Sequence, residues 1–342
     1  MKIITFVVPC YNSSEYMDKC INTLLESGQE EDIEIILVND GSKDDTGLKA
    51  DKYKEKYPNI IKVIHQENGG HGEGVNQGIR NAKGLYMKVV DSDDWIDVSC
   101  GKTIINKIKE MLKAGNNVDM YICNYVYEHV ADNTRKVMDY KFILPENKIF
   151  GWKDTKSFGL SRYLLMHSLI YKTEILRKSK LELPKHTFYV DNMFAYIPFP
   201  FVKTMYYMNL DLYRYFIGRE DQSVNEAVMV KRVDQQLRVT YAMAKAHDLQ
   251  SIMKTNKKLG IYMRKYLSMM VVISIVLLLI DGSEEALKKR DDLWNYLRSI
   301  DKNLYKSIRY RSLALFMTFP GAIGRKLSIR CYKIAQRLYK FN

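Results

Sequence analysis

The chain has 342 residues, a hydrophobic fraction of 46 % and a formal net charge of +13. Its length suits two domains or one large domain with an appendage, and its hydrophobic fraction is that of a globular chain, not a disordered one. Ten of the basic residues lie in residues 302–342, which contain no Asp or Glu, so most of the net charge belongs to a C-terminal tail.

The cysteines give an indication of the compartment. They are Cys10, Cys20, Cys100, Cys123 and Cys331. This odd, scattered set has neither paired nor metal-type spacing, which is typical of reduced thiols in a cytosolic protein. Residues 1–10 enter a strand pattern directly and show no signal-peptide layout, so we expect a cytoplasmic location.

Four short apolar runs predict β-strands with helical segments between them. The runs cover residues 3–8, 33–38, 60–65 and 85–90. Alternating strands and helices at this pitch predict an α/β fold with a mostly parallel sheet flanked by helices. Asn12 and Glu15 have the spacing of a capping box, which predicts the start of the first helix.

The fourth run leads directly into an acidic cluster containing Asp91, Ser92 and Asp93. A strand that ends this way places the acids at the carboxyl edge of the sheet, where open α/β sheets bind ligands. Carboxylate oxygens are preferred ligands of Mg²⁺ and Mn²⁺. The cluster predicts a cation held by Asp91 and Asp93 for binding a diphosphate. A solvated acidic turn or a helix N-cap cluster is the alternative.

A glycine-rich stretch follows the third run, at residues 66–76. It does not match the dinucleotide fingerprint, because Val75 stands where the last glycine belongs, and it has no Gly-Lys-Ser/Thr of a P-loop. These mismatches disfavour a dehydrogenase or an NTPase. Glycine-rich backbone entering a helix suits close approach to a ligand. Contact of His71, within this stretch, with the site is one interpretation, and a structural histidine is the favoured one.

Residues 1 to about 100 contain a series of short motifs whose order and spacing form one recognisable pattern. They are residues 8–12, residues 34–42 with Asp44, then Asn68, Gly70, Asn76, Gly78 and Gly84, and finally residues 91–94. This pattern resembles the GT-A-fold, family-2 glycosyltransferases of bacterial polysaccharide biosynthesis.

The resemblance implies a nucleotide-sugar donor. Asp40 would contact the base or ribose, Pro9 and Tyr11 would shape the nucleotide pocket, and Asp91 with Asp93 would hold ribose, diphosphate and metal. The implied donor-binding set is completed by Asn12, Gly41, Ser42, Asn68, Asn76 and Ser92.

Inversion at a sugar carbon needs a general base opposite the leaving group, and a divalent cation neutralises the departing diphosphate. The family carries its base in a Glu-Asp pair, which implies Asp191 here, although Val190 replaces the Glu. The alternative for Asp191 is an N-cap of residues 193–197. Arg219 resembles a residue of the donor- or acceptor-side loop and would pair with phosphate; a surface salt bridge is the alternative.

We expect residues 1–225 to form the GT-A domain and residues 226–342 a helical region. Residues 267–280 are almost wholly apolar but shorter than the ~20 residues that span a bilayer. A buried helix and an interfacial segment both remain open. The tail mixes basic residues with apolar and aromatic ones, which favours an anionic membrane surface. Nucleic acid is disfavoured, because the apolar residues would find no partner on a phosphate backbone.

Together these patterns predict an inverting glycosyltransferase, peripheral on the inner face of the cell membrane. Its donor would be a nucleotide sugar, by family habit a UDP-sugar, its cofactor Mn²⁺ or Mg²⁺, and its acceptor a glycan or a lipid-linked glycan. A nucleotidyltransferase would need a basic glycine-rich loop where residues 9–12 offer none. A non-catalytic membrane or nucleic-acid binding module is the remaining alternative. The oligomeric state stays open, a homo-oligomer included.

Overall fold

The computed structural model describes residues 2–129, 132–159, 162–218, 226–317, 319 and 321–339. The chain divides into two compact units, one formed by residues 1–157 with 164–218 and the other by residues 158–163 with 219–342. The domain boundary expected at residue 225 stays a prediction, and no sequence pattern indicates that residues 158–163 belong with the second unit.

The first unit contains a ten-stranded sheet. Its strands are β1 (Ile4–Cys10), β2 (Ile33–Asp40), β3 (Ile61–Gln66), β4 (Tyr86–Val89), β5 (Trp95–Ile96), β6 (Met120–His129), β7 (Thr134–Met138), β8 (Ile149–Phe150), β9 (Leu169–Lys172) and β10 (Met205–Ile217). The spatial order is β3-β2-β1-β4-β9-β6-β10-β5, with β7 beside β6 and β8 beside β10.

The predicted parallel arrangement is confirmed for the first four strands. β1 pairs in parallel with β2 and β4, and β2 pairs in parallel with β3. The remainder is more mixed than predicted, because β9 runs antiparallel between β4 and β6. The four parallel strands bring their carboxyl ends to one edge, which is where the candidate site lies.

Helices cover both faces of this sheet. They are α1 (Met17–Glu26), α2 (Thr46–Lys56), α3 (His71–Asn81), α4 (Val98–Lys113), α5 (Thr173–Lys178) and α6 (Asp191–Tyr196). The apolar faces of α1 and α4, including Leu24 and Ile105, share one buried core with Phe6 and Val8 of β1. Each fully buried side chain of this size stabilises the fold by about 1.5–3 kcal/mol.

The helix α3 packs on the opposite face of β1 through glycines. A Cβ atom at Gly78 would lie 2.4 Å from Val7 Cγ1, and one at Gly74 would lie 3.0 Å from Pro9 Cβ. The glycines therefore allow a helix and a strand to approach closely. We had expected the glycine-rich stretch to approach a ligand, and at these two positions it approaches protein instead.

The capping box predicted for Asn12 and Glu15 is wrong. The helix α1 begins at Met17, after Tyr16, which makes no capping hydrogen bond through its side chain. Asn12 has a left-handed backbone, with φ of 48°, and its Oδ1 accepts a hydrogen bond from the backbone N–H of Lys43. Asn12 is thus used to join two loops at the sheet edge.

The second unit is helical in its described residues. Its helices are α7 (Glu226–Lys231), α8 (Val233–Ala246), α9 (Leu249–Thr255), α10 (Lys257–Asp281), α11 (Glu284–Ile300), α12 (Lys302–Arg311) and α13 (Gly321–Tyr339). By length and composition α10 is able to cross a membrane, but 67 % of its most apolar window is buried within the protein. This burial favours the interpretation of residues 267–280 as a core helix of the unit.

Candidate active site

The loops that follow β1, β2 and β4 are tied together at the carboxyl edge of the sheet. The backbone N–H of Asn12 donates to Ser42 Oγ at 3.1 Å. The hydroxyls of Ser13 and Ser92 lie 2.7 Å apart. The structure therefore brings the loops that follow three parallel strands together at one edge of the sheet.

Asp91 is the carboxylate at the centre of this edge. Its Oδ1 lies 2.7 Å from His71 Nε2, and its Oδ2 lies 3.9 Å from His167 Nε2. Burial acts to raise the pKa of Asp91, but the charge and hydrogen bond of His71 outweigh it and hold that pKa below its ordinary value. The same pairing raises the pKa of His71 against the opposing effect of burial.

Asp94 is buried behind Asp91 and has a structural task. Its carboxylate accepts a hydrogen bond from Tyr213 OH at 2.5 Å and another from the backbone N–H of Phe216 at 2.8 Å. Burial, with the charges of Asp93 and Asp91, raises the pKa of Asp94 well above its ordinary value. Tyr213 OH also accepts from the backbone N–H of Asp91 at 3.2 Å, so β10 fixes the acidic turn at two points.

A lysine lies beneath the acids. Lys88 of β4 is fully buried, and its Nζ donates to the backbone oxygen of His167 at 2.7 Å. Its Nζ also lies 5.0 Å from the centre of the Tyr213 ring. Burial lowers the pKa of Lys88 to about 8. The strand that leads to Asp91 therefore carries a cation that offsets part of the buried negative charge.

Three side chains place potential metal-ligand atoms close enough together to bind one ion. One ligand atom each from Asp91, Asp94 and His167 lies within 4.8 Å of the other two. Burial lowers the pKa of His167 to about 4, so its imidazole is neutral and able to donate a lone pair. Among the described residues its Nδ1 has no hydrogen-bond partner. Asp93, predicted as a ligand with Asp91, is partly exposed beside this cluster.

Asp191 is the first residue of α6, directly after the N-cap residue Val190. The alternative that Asp191 itself caps the helix is therefore wrong. Burial raises the pKa of Asp191 to about 6, partly opposed by the charge of His71. The side chain of Asn192 donates to Asp191 Oδ1 at 3.1 Å. A carboxylate tuned to this pKa is suited to accept a proton near neutral pH.

Asp40 lies at the predicted edge but is buried. Its carboxylate accepts three hydrogen bonds, from Gln66 Nε2 at 2.6 Å and from the backbone N–H groups of Gly69 and Gly70 at 2.7 Å each. The backbone oxygen of Asp40 accepts from Asn68 Nδ2 at 2.8 Å. Asp40 and Asn68 thus fix the loop that leads to the glycine-rich stretch.

The other predicted donor-binding residues differ in accessibility. Tyr11 is 50 % exposed and is free to meet a flat ring, whereas Pro9 is buried. Gly41 has φ of 68°, and a Cβ there would lie 2.8 Å from the backbone nitrogen of Asn68. Asn76 is 2 % exposed and binds the backbone of Leu183. Arg219 lies outside the described residues.

Three residues of the site were not assigned to it from the sequence. A structural role is the favoured interpretation of His71, while His167 and Lys88 are not singled out as site residues. A lysine within the apolar run 85–90 is the one local signal that was available for Lys88. His71 and Asp91 are twenty positions apart, so their contact has no local signal in the sequence.

Comparisons with known proteins agree with this geometry. A family model described as glycosyl transferase family 2 matches residues 5–173. The putative glycosyltransferase EpsH of Bacillus subtilis is 32 % identical over 226 residues, which are 63 % of this chain and 60 % of that protein. Glycosyltransferase GlyG of Streptococcus pneumoniae is 38 % identical over 36 % of this chain and 39 % of its own length. This chain therefore spans less than two thirds of these relatives.

Solved structures show the same fold at low identity. S. aureus TarS 1–349 in complex with UDP-GlcNAc has a TM-score of 0.68 and 17 % identity, covering 98 % of this chain and 92 % of that one. The mannosyltransferase PcManGT of Pyrobaculum calidifontis, in complex with GDP-Man and Mn²⁺, has a TM-score of 0.52 and 13 % identity, covering 96 % and 87 %. These likenesses support the GT-A fold predicted from the sequence.

Proposed function

Because the chain belongs to glycosyl transferase family 2, we propose that it transfers a sugar from a nucleoside-diphosphate donor to an acceptor hydroxyl with inversion at the anomeric carbon. The observation that carries this proposal is the contrast between two carboxylates that both act on His71. Asp91 is ion-paired and has a lowered pKa, whereas Asp191 has a pKa raised to about 6. Environments that separate two carboxyl groups in this way assign them different chemical roles.

The acidic edge is suited to a divalent cation. Asp91 and Asp93 are partly exposed and offer oxygen atoms, and neutral His167 and Asp94 lie behind them. The carboxylate oxygens of this set suit Mn²⁺ or Mg²⁺. When bound, the cation would neutralise charge on the leaving diphosphate. Within the chain, Asp91 and Asp93 would face the donor, while Asp94 holds the turn through Tyr213.

Asp191 is the proposed general base. Its pKa of about 6 leaves it mostly ionised at neutral pH, yet basic enough to take a proton from an acceptor hydroxyl as that oxygen attacks. The proton moves to the carboxylate of Asp191, and the bond to the diphosphate breaks on the opposite face of the sugar. His71, close to both carboxylates, would keep Asp91 ionised while Asp191 accepts the proton.

We propose UDP as the nucleotide. The first observation in support is the fold likeness to TarS, which has been solved in complex with UDP-GlcNAc and with UDP. The second is the exposed ring of Tyr11 at the donor edge, and the third is the loop formed by Asp40 and Asn68. A GDP-sugar is the competing donor, since PcManGT was solved with GDP-Man. The experiment below distinguishes the two.

The test is a donor panel in which release of nucleoside diphosphate is measured with Mn²⁺, Mg²⁺ or EDTA. We expect turnover with one UDP-sugar that requires the cation and is lost in Asp93→Ala. Asp191→Asn should retain donor binding and lose transfer. Asp51→Ala, a partly exposed carboxylate paired with His65, is the matched control and should behave as wild type. Cation-independent turnover, or full activity in Asp191→Asn, would refute the mechanism.

We also propose that the acceptor is a lipid-linked or cell-surface glycan and that the chain acts on the inner face of the cell membrane. The support is the tail, in which Ile323, Leu327 and Ile334 are exposed on α13 among basic residues. Apolar side chains in a basic helix suit the surface of an anionic bilayer. Full activity on a soluble acceptor after removal of residues 302–342 would count against this proposal.

A further inference from the structure

The glycine-rich segment of residues 69–76, here called the strap, contacts the donor side of the site. The backbone N–H groups of Gly69 and Gly70 donate to the two carboxylate oxygens of Asp40. His71 Nε2 lies 2.7 Å from Asp91 Oδ1. One side of the strap is therefore fixed to two carboxylates at the carboxyl edge of the sheet, the buried Asp40 and the partly exposed Asp91.

The other side of the strap contacts the segment that leads to Asp191. The backbone oxygen of Gly69 accepts from the N–H of His186 at 2.8 Å. Gly70 has φ of 83°, and a Cβ there would lie 2.9 Å from His186 N; at Gly72 it would lie 3.0 Å from Leu183 Cβ and from Pro184 O. The glycines leave the space into which this segment fits.

Asn76 forms the most specific of these contacts. Its Oδ1 accepts from the backbone N–H of Leu183 at 2.9 Å, and its Nδ2 donates to the backbone oxygen of Leu183, also at 2.9 Å. The pair is buried, and buried amide groups of this kind are expensive to leave unpaired. The side chain of Asn76 thus replaces the partner that a neighbouring strand would give Leu183.

Residues 183–190 have no helix or strand of their own. His186 and Tyr189 are in the left-handed region, with φ of 48° and 66°. Such backbone persists only where surrounding contacts determine it, and the strap supplies such contacts. The helix α6 begins immediately afterwards with Asp191.

We propose that Asn76 is a positioning residue for Asp191, and that the strap sets the position of this carboxylate relative to Asp91. The proposal rests on the proposed function, in which Asp191 is the general base. It gives the glycine-rich stretch a role in the reaction, since small displacements of a catalytic group reduce rates strongly.

The test compares Asn76→Ala and Gly72→Ala with wild type in the full chain. The first removes both bonds to Leu183, and the second presses on Leu183 and Pro184 without removing a buried hydrogen bond. We expect kcat for transfer to fall about 10- to 100-fold, while the Kd for UDP in the presence of Mn²⁺ stays unchanged. Asn81→Ala is the matched control, because Asn81 is an amide on the same helix that bonds Lys62 and Gln77 instead.

Combining Asn76→Ala with Asp191→Asn distinguishes a positioning role of Asn76 from a merely structural one. If Asn76 acts through Asp191, adding Asn76→Ala to Asp191→Asn lowers the residual rate of transfer by less than about threefold, because coupled residues are not additive. Losses that multiply, or a parallel loss of UDP affinity, would overturn the proposal.

Hydrogen exchange keeps the proposal testable if no transfer is observed. Faster exchange of residues 183–190 in Asn76→Ala, with residues 33–40 unchanged, is expected whether or not the donor is identified. Unchanged exchange in residues 183–190 would overturn the positioning role. Absence of turnover by wild type with every donor would instead refute the proposed function.

Discussion

At the scale of single residues, the site depends on how buried charges are offset. Asp91, Asp93 and Asp94 lie within four positions, and each carboxylate raises the free energy of ionising its neighbours. The positive charge of His71, whose side chain is 33 % exposed, offsets the negative charge of Asp91 from the solvent side. Lys88 lies on the interior side and is fully buried. Burial also destabilises the charged ammonium of Lys88, and this free-energy penalty lowers the pKa of Lys88.

This penalty predicts a pH-dependent contribution of Lys88 to stability. The pKa falls from 10.5 in the unfolded chain to about 8 in the folded protein, so between these values the unfolded state binds more protons. Stability from this group therefore rises as pH increases through 8. Between pH 7.5 and 9.5 the gain is about 2 kcal/mol.

The measurement is urea unfolding of wild type and Lys88→Met at the two pH values. The free energy of unfolding of wild type, relative to Lys88→Met, should increase by that amount as pH rises. Lys83→Met, which alters an exposed lysine in the same region, should show no such change relative to wild type. A difference between wild type and Lys88→Met that is independent of pH would show that folding does not lower the pKa of Lys88.

At the scale of elements, local pattern was sufficient for the parallel strands. Their apolar runs were predicted within a few residues of β1 to β4, because a strand covered on both faces must be apolar throughout. The placement of the acids at the carboxyl edge followed directly, because the polar residues come where the runs end. The arrangement of polar residues at this edge of the sheet was therefore predictable in outline.

What escaped prediction depends on residues distant in sequence. The antiparallel β9 enters the sheet between β4 and β6, and no local feature of residues 169–172 marks that place. Asn76 was expected to bind the donor, but its amide bonds Leu183, more than one hundred positions away. Asn12 fits a capping box by spacing, yet its side chain accepts a hydrogen bond from a loop 31 positions away. Tertiary contacts override local signals in each case.

The helix α3 gives a prediction at this scale. Alanine raises helix propensity over glycine by about 1 kcal/mol, but a Cβ at Gly78 would lie 2.4 Å from Val7 Cγ1. Overpacking typically costs about 1–3 kcal/mol. We therefore expect Gly78→Ala to lower the free energy of unfolding, against the trend of propensity, as measured by chemical denaturation.

Removing the opposing methyl groups supplies the control. In a Val7→Ala background only the contact with the Cβ of residue 7, at 2.9 Å, remains, so the same substitution should cost less free energy of unfolding than it does in wild type. The coupling between the two positions, measured as a double-mutant cycle, should be favourable by more than about 0.5 kcal/mol. Additive effects would mean that the close contact between α3 and β1 does not limit this position.

At the scale of the whole molecule, the charge is divided unequally between its parts. The tail of residues 302–342 carries ten basic residues and no acidic ones. On α13, Lys326, Arg330 and Lys333 are exposed together with Ile323 and Leu327. Basic and apolar side chains exposed along one helix suit a bilayer with anionic headgroups, where charge attracts and apolar groups insert.

This distribution predicts salt-sensitive binding of the full chain to phosphatidylglycerol vesicles and weak binding to phosphatidylcholine vesicles. Each basic residue near such a surface contributes about 1 kcal/mol. Reversing Lys326, Arg330 and Lys333 to Glu should therefore weaken binding by about 100-fold or more in a cosedimentation assay. Increasing salt should release wild type, because the attraction falls off within a Debye length.

A control variant distinguishes vesicle binding by the tail from attraction due to the net charge of the whole chain. Reversing Lys52, Lys54 and Lys56, which are exposed on α2, lowers the formal net charge of +13 by the same amount. If the tail provides the contact, this variant keeps nearly full affinity, because its changed residues lie on another helix. Equal loss in both variants would indicate attraction of the whole charged chain. Equal binding to neutral vesicles would exclude an electrostatic membrane contact, and with it the main support for a lipid-linked acceptor.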